Sequence, residues 1–287
     1  MFFTKSLNDM VSQKNKQWIF AVVFSILISL IVYRSIYPDD HSINANFFRD
    51  NPDFIYRKDG NWLLICRADY YSEDLNSLFV NPDDPFNKKK HWIKDAESRS
   101  ILTWKISGKK YVIKRYNISG FRHCFKQLIP YSSSEALRAF YYSYLFDKID
   151  INSAKAIAVL EKREGPFRTT SYQIMEHIKG MKGSDFFNDS KIPEIEHEKS
   201  IKETFAIAKK LEHANLIHGN LSLGHLFYVE GIPYLINLDS VRHYKSKSIF
   251  FKRRRQHKDL DILSDSFQEQ LKKNQLSVNR ETGRLSF

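Results

Sequence analysis

Residues 218–241 read HGNLSLGHLFYVEGIPYLINLDSV. The opening HGNLSLGH is a polar, glycine-punctuated loop. LFYV is a short apolar run rich in strand formers, and YLINLDSV is a second such run. Gly231-Ile232-Pro233 supplies the turn between them. The stretch is therefore a loop–strand–turn–strand unit in which His218, Asn220, His225, Asn237 and Asp239 are the side chains able to do chemistry.

Just upstream, after Pro193, the sequence IEHEKSIKETFAIAKKLEHANLI has helical character. Further back, ILTWKI and KYVIKRY flank Ser107-Gly108-Lys109 and predict a hairpin. SSSEALRAFYYSYLFDKI follows with apolar positions recurring at three and four, a helix that Ser133 or Ser134 could cap. AKAIAVLEKREG and TTSYQIMEHIKG predict two more strands, separated by Gly165 and Pro166. Downstream, FFKRRRQHKDLDILSDSF is basic and helical. The order is strands, helix, strands, helix, then the 218–241 unit. It is the order of an α+β, two-lobed protein-kinase-like fold with a small β-rich N-lobe and a mainly helical C-lobe.

Six pieces in that order carry a resemblance: YVIKRYN, SEALRAF, AIAVLEKREGPFRTTSYQIMEHIKG, HGNLSLGHLF, YLINLD and KDLDIL. Together, from about Ser98 to Phe267, the chain resembles the lipopolysaccharide kinase family, the Kdo and heptose kinases of the lipid A core. The resemblance implies ATP and Mg²⁺ as cofactors. It implies the lipopolysaccharide core, or another anionic glycolipid, as partner. Lys114, at the end of strand YVIK, takes the place of the lysine that pairs with nucleotide phosphates; the alternative is a surface lysine among Lys105, Lys109, Lys110 and Arg115. Glu135 is the candidate acid to hold Lys114, because Ala139 occupies the expected acid position one turn later.

His218 matches the histidine of the catalytic loop, while Asn220 stands where the base aspartate belongs and His225 where the metal-binding asparagine belongs. An amide cannot accept a proton from a hydroxyl, but it can orient one. Asn237 falls on the metal-binding aspartate position. Asp239, two residues on and on the same side if the strand continues, is then the better ligand for Mg²⁺, which prefers carboxylate oxygens. No glycine-rich phosphate loop precedes Lys114; by spacing, Gly108 is a hairpin glycine. Asp259 and Asp261 are expected to cap the helix they begin. Two functions follow: ATP-dependent phosphorylation of a heptose or Kdo hydroxyl, or a catalytically inactive pseudokinase serving as a membrane-bound scaffold.

The remaining signals concern the membrane and charge. WIFAVVFSILISLIVY, from Trp18 to Tyr33, contains no charged residue, and it reaches about Tyr37 if Arg34 snorkels. Its length suits a single transmembrane helix with aromatic residues at both ends; a cleaved signal or a buried core helix is the alternative, though no A-x-A-like cleavage site follows. The expected organisation is a tail at 1–17, the membrane helix at 18–37, a juxtamembrane extension at 38–95 and a kinase-like domain at 96–287. Its lobes divide near 180. Lys5, Lys14 and Lys16 before the helix, against Arg34 and Arg49 after it, lean toward a cytoplasmic N-terminus, whereas ATP chemistry requires a cytoplasmic kinase-like domain. The location expected is the bacterial inner membrane with that domain cytoplasmic, a periplasmic one being the alternative.

The net charge of +12 suits nucleic acid, an anionic membrane surface or a phosphorylated substrate. No nucleic-acid motif accompanies it. The run Lys252-Arg253-Arg254-Arg255 faces lipid headgroups or core phosphates, or is simply solvated. Two cysteines, Cys66 and Cys124, exclude a disulfide scaffold and suggest no zinc site.

Overall fold

The computed structural model describes residues 48–88, 92–96, 98–117, 133–164, 167–243 and 257–270, with Trp18, Ser25 and Lys272. Most of the apolar run at 18–37, Cys124 and Lys252–Arg255 lie outside the described residues. Among the described residues no helix is long and apolar enough to cross a membrane.

The elements in chain order are β1 Phe54–Asp59, β2 Trp62–Arg67, α1 Glu73–Val80, α2 Asp84–Asn87, β3 Trp92–Ala96, β4 Arg99–Ile106 and β5 Lys109–Tyr116. Next come α3 Glu135–Lys148, β6 Ala156–Glu164, β7 Phe167–Glu176, β8 Met181–Lys182, α4 Gly183–Asn188 and α5 Glu194–His213. The last are β9 Leu216–Ile217, β10 Leu226–Val229, β11 Ile232–Leu235 and β12 Arg242–His243, followed by helix α6 over 257–270.

The N-lobe is one antiparallel sheet of seven strands in the order β1-β2-β6-β7-β5-β4-β3. Strand alternation divides its apolar residues between two faces. Leu63, Ile65 and Val159 point to α3, where Ala136, Leu137 and Phe140 meet them. Leu64, Cys66, Leu102, Ile113 and Leu160 point the other way, under Leu75, Leu78 and Phe79 of α1 and Phe86 of α2. Residues 54–67, expected in the juxtamembrane extension, form two strands of this sheet, β2 pairing with β6 from Trp62↔Lys162 to Cys66↔Ala158. Burial pushes the Cys66 thiol up to about 12, so it is an inert core side chain.

The expected hairpin turns at Ser107 and Gly108, both at positive φ (48° and 78°). This is the mirror-image turn that matches strand twist. Asp74 of α1 braces it by accepting from the Ser107 amide at 2.9 Å and hydroxyl at 2.8 Å. Ser134 caps α3, its Oγ accepting from the Leu137 amide at 2.9 Å.

The C-lobe core gathers α4, α5, α6 and the small strands around Tyr228, Phe186, Phe187, Leu211, Leu263 and Phe267. The turn in the 218–241 unit falls at Glu230 and Gly231 (φ 51° and 77°), one residue earlier than Gly231-Ile232-Pro233. Pro233 then lies in β11, which is an edge strand of the sheet β11-β10-β8. There its missing N–H costs no ladder bond. Gly180 and Gly183 permit the crossing between lobes: a Cβ on either would meet a backbone oxygen, of Tyr228 or Leu223, at 2.5 Å.

Candidate active site

A slot of about 170 Å³ opens between the lobes. Ile101 of β4 and Val112 of β5 form its roof, Phe227 and Ile236 its floor, and Glu176, His177 and Ile178 its rear wall. Its walls are mainly apolar, with Lys114 and Asn237 at one end. A mainly apolar slot ending in a cation has the polarity of a nucleotide site.

Lys114 is only 2% exposed. Its Nζ donates to Asp239 Oδ2 at 2.9 Å and to Asn237 Oδ1 at 3.2 Å. It also lies 4.8 Å from the centre of the Tyr116 ring. Burial lowers the lysine below its ordinary pKa, with Asp239 opposing. Burial alone would raise Asp239, but the charges of Lys114 and Arg99 outweigh it and hold the carboxyl below its ordinary value. The pair is ionic and nearly dry, so each charge depends on the other.

Asp239 does not arrive along a continued strand. β11 stops at Leu235, and Asn237 takes the left-handed conformation (φ 59°, ψ 50°), which an asparagine tolerates better than most side chains. The chain then makes a single 3₁₀ turn over Leu238–Ser240. That turn, not strand alternation, brings Asn237 and Asp239 to one lysine.

Glu135 acts on Lys114 through its charge, and its direct ion pair is with Arg99. Its Oε2 accepts from Arg99 at 3.0 Å, and Arg99 also reaches Asp239 Oδ2 at 3.1 Å. From the first turn of α3, Glu135 meets β4 before it meets β5. Lys114 takes the carboxylate below it. Ala139, at the expected acid position, is core. Arg138 adds a third cation, donating to the carbonyl oxygens of Ser133 at 3.1 Å and Asp239 at 3.5 Å.

The 218–225 loop is fixed by its backbone. Asp259 Oδ2 accepts from the His218 amide at 2.7 Å and the Gly219 amide at 3.0 Å. Asp259 therefore does not cap α6; it sits within that helix and ties the loop to it. Ser240 Oγ donates to the His218 carbonyl at 2.9 Å. Gly219 is at φ +84°, with the Ser240 carbonyl oxygen 3.1 Å from where a Cβ would sit. His218 is fully buried, and burial lowers its pKa with Asp259 opposing. Its neutral ring donates Nε2–H to the Ile236 carbonyl at 3.2 Å, since a carbonyl can only accept. His218 thus joins the loop to the segment that follows β11. Asn220 is exposed at the loop tip. His225 turns its Nδ1 to the Asn220 backbone carbonyl at 2.7 Å.

The model of the lipopolysaccharide kinase (Kdo/WaaP) family matches residues 84–282, more than half of the chain. The chain belongs to that family. No curated protein sequence matches it. Among solved structures, WaaP in complex with acyl carrier protein matches with a TM-score of 0.48 and 17% identity, over 68% of this chain and 79% of that one.

Membership of the lipopolysaccharide kinase family implies ATP as phosphate donor and Mg²⁺ as its companion. The donor set of this family member fits ATP and does not fit Mg²⁺. Among the described residues no group of three or more His, Cys, Asp or Glu side chains could hold a metal ion. Asn237 shares its Oδ1 with Lys114, Asp239 already carries two cations on Oδ2 and has only Oδ1 left to offer, and His225 offers nitrogen where the ion wants oxygen.

Arg99 and Glu161 were not singled out in the sequence, and Asp259, expected as a helix cap, instead holds the His218 and Gly219 amides. Arg99 lies two residues before Ile101 and so on the same strand face, a signal that could have found it. Glu161 is 1% exposed; it accepts from the Ser134 amide at 3.2 Å and from Arg163 at 2.7 Å, anchoring the start of α3 to β6.

Proposed function

We propose that this protein is a lipopolysaccharide-core kinase-like protein that takes a purine nucleotide into the interlobe slot and offers its terminal phosphate to a heptose or Kdo hydroxyl. One observation carries the reading: a buried cation, Lys114, closes the inner end of an apolar slot backed by the interlobe segment 176–178. The slot walls take the base. Lys114 exchanges Asp239 for phosphate oxygens. Asn220, exposed at the tip of a loop tied to α6 by Asp259, orients the acceptor hydroxyl by hydrogen bonding.

Phosphoryl transfer depends mostly on positioning and charge neutralisation. A general base contributes typically about 10² to 10⁴ in rate, so transfer with an amide in that place is slow. In this reading the apolar run at 18–37 anchors the chain in the bacterial inner membrane. The kinase-like domain then works on the cytoplasmic side against an anionic glycolipid, and the +12 net charge favours that surface.

A second reading, a nucleotide-binding pseudokinase, is favoured by a separate observation. Asn220 and Asn237 remove carboxylates from two chemical positions, and Asp239, the carboxylate that remains, is engaged by Lys114 and Arg99. The deciding experiment incubates the detergent-solubilised full chain with γ-phosphate-labelled ATP and dephosphorylated core oligosaccharide. Label transfer that disappears in Lys114→Met supports the kinase. Nucleotide binding without any transfer supports the pseudokinase.

A further inference from the structure

The cluster around Asp239 disagrees with the cofactor that the family implies, and the disagreement points to a different way of holding phosphate. Lys114 and Arg99 converge on one oxygen, Asp239 Oδ2, at 2.9 and 3.1 Å. Both cations also lie over one ring face, Tyr116, at 4.8 and 5.6 Å from its centre. They come from adjacent strands and the same sheet face. Arg99 stands opposite Tyr116, and Ile101 opposite Lys114, in the β4–β5 register. Two cations thus share one platform at the end of the slot. Glu135 holds Arg99 from the other side at 3.0 Å.

A divalent ion entering here finds only Asp239 Oδ1 to take, on a carboxylate whose Oδ2 already holds two fixed cations, with Arg138 close to its backbone. It would add two positive charges beside a buried lysine and an arginine that already share this one carboxylate. An incoming phosphate meets the opposite situation. It presents several oxygens to two cations that need only exchange one anion for another, and a guanidinium matches phosphate geometry with paired donors.

Building on the nucleotide reading above, we infer that this site binds the nucleotide's phosphates without a divalent ion, Arg99 and Lys114 together supplying the positive charge. Arg99 is then a phosphate-binding residue, and Glu135 a positioning residue that keeps it there.

The test titrates a fluorescent N-methylanthraniloyl ATP into the full-length protein in detergent, once with excess Mg²⁺ and once with excess EDTA. The inference expects dissociation constants within about twofold of each other. Arg99→Gln should weaken binding in EDTA by about tenfold, the loss of one charge-assisted contact. Arg99→Lys, which keeps the charge, should recover part of it. Thermal melting of each variant separates lost binding from lost folding. Binding that EDTA weakens tenfold or more overturns the inference and leaves the nucleotide reading standing. Equal binding by wild type and a folded Arg99→Gln also overturns it. Absence of binding under both conditions overturns the nucleotide reading, and this inference falls with it.

Discussion

Asp239→Asn removes one charge and leaves a similar shape, so it isolates the electrostatics of the site. In the wild-type protein the carboxylate and its Lys114 partner are both about as buried as core residues, with side-chain exposures of 4% and 3%. Solvent screening is therefore slight. Removing one partner of such a pair costs about 3–5 kcal/mol, because the other charge stays buried and uncompensated. Arg99 loses a partner too, but it keeps Glu135 and is one-third exposed, so it adds little.

The pH dependence gives the reasoning a second check. Asp239 titrates below its ordinary value, so its contribution is complete above about pH 4 and is lost as pH falls through its folded value. Lys114 is already lowered by burial, with Asp239 resisting; without Asp239 it falls further. A folded state that gives up a proton more readily than the unfolded chain gains stability as pH rises, by up to about 1.4 kcal/mol per unit. The deficit of Asp239→Asn should therefore be greatest near neutrality, shrink toward about pH 10 as the lysine goes neutral, and shrink again in acid as the wild type loses its carboxylate. Denaturant unfolding of both proteins across that range measures it. A deficit under about 1 kcal/mol at pH 7, or one that does not change with pH, would refute the buried-pair account.

Three further outcomes follow from the same structure. Asp259→Ala should free the His218 and Gly219 amides. The cost is about 2–4 kcal/mol for two bonds to a charged acceptor, and hydrogen exchange should rise at those two amides first. Ser134→Ala should cost about 1 kcal/mol through loss of the α3 cap, read by denaturant unfolding. Gly180→Ala should be more damaging than either, since its Cβ would lie 2.5 Å from the Tyr228 carbonyl oxygen; thermal melting and soluble yield check it.

Local signals carried much of the fold. Strand-forming runs around Ser107-Gly108 gave the β4–β5 hairpin and with it the place of Lys114. Helical periodicity after a serine gave α3 and its cap. Pairings distant in sequence were not legible. Nothing local in WLLIC says that it lies against residues 158–162, so β1 and β2 read as a separate segment. The site was legible as a set of residues and not as a set of partners. Lys114, Asn237 and Asp239 do meet, but through a left-handed residue and a 3₁₀ turn that strand alternation does not foresee. Glu135 and Asp259 were assigned partners by motif position. Their actual partners, Arg99 and two backbone amides, depend on which strand or loop each carboxylate reaches first.

The central claim is a purine site between the lobes, and occupancy of the slot tests it most directly. Val112→Trp fills the roof of the slot while keeping the Lys114 cation, and isothermal titration of ATP into wild type, Val112→Trp and Lys114→Met compares the base and phosphate ends. The account predicts saturable one-site binding by the wild type and at least a tenfold loss in each folded variant, roughly the 1.4 kcal/mol that one good contact supplies. ATP binding that is equal in all three proteins would contradict it.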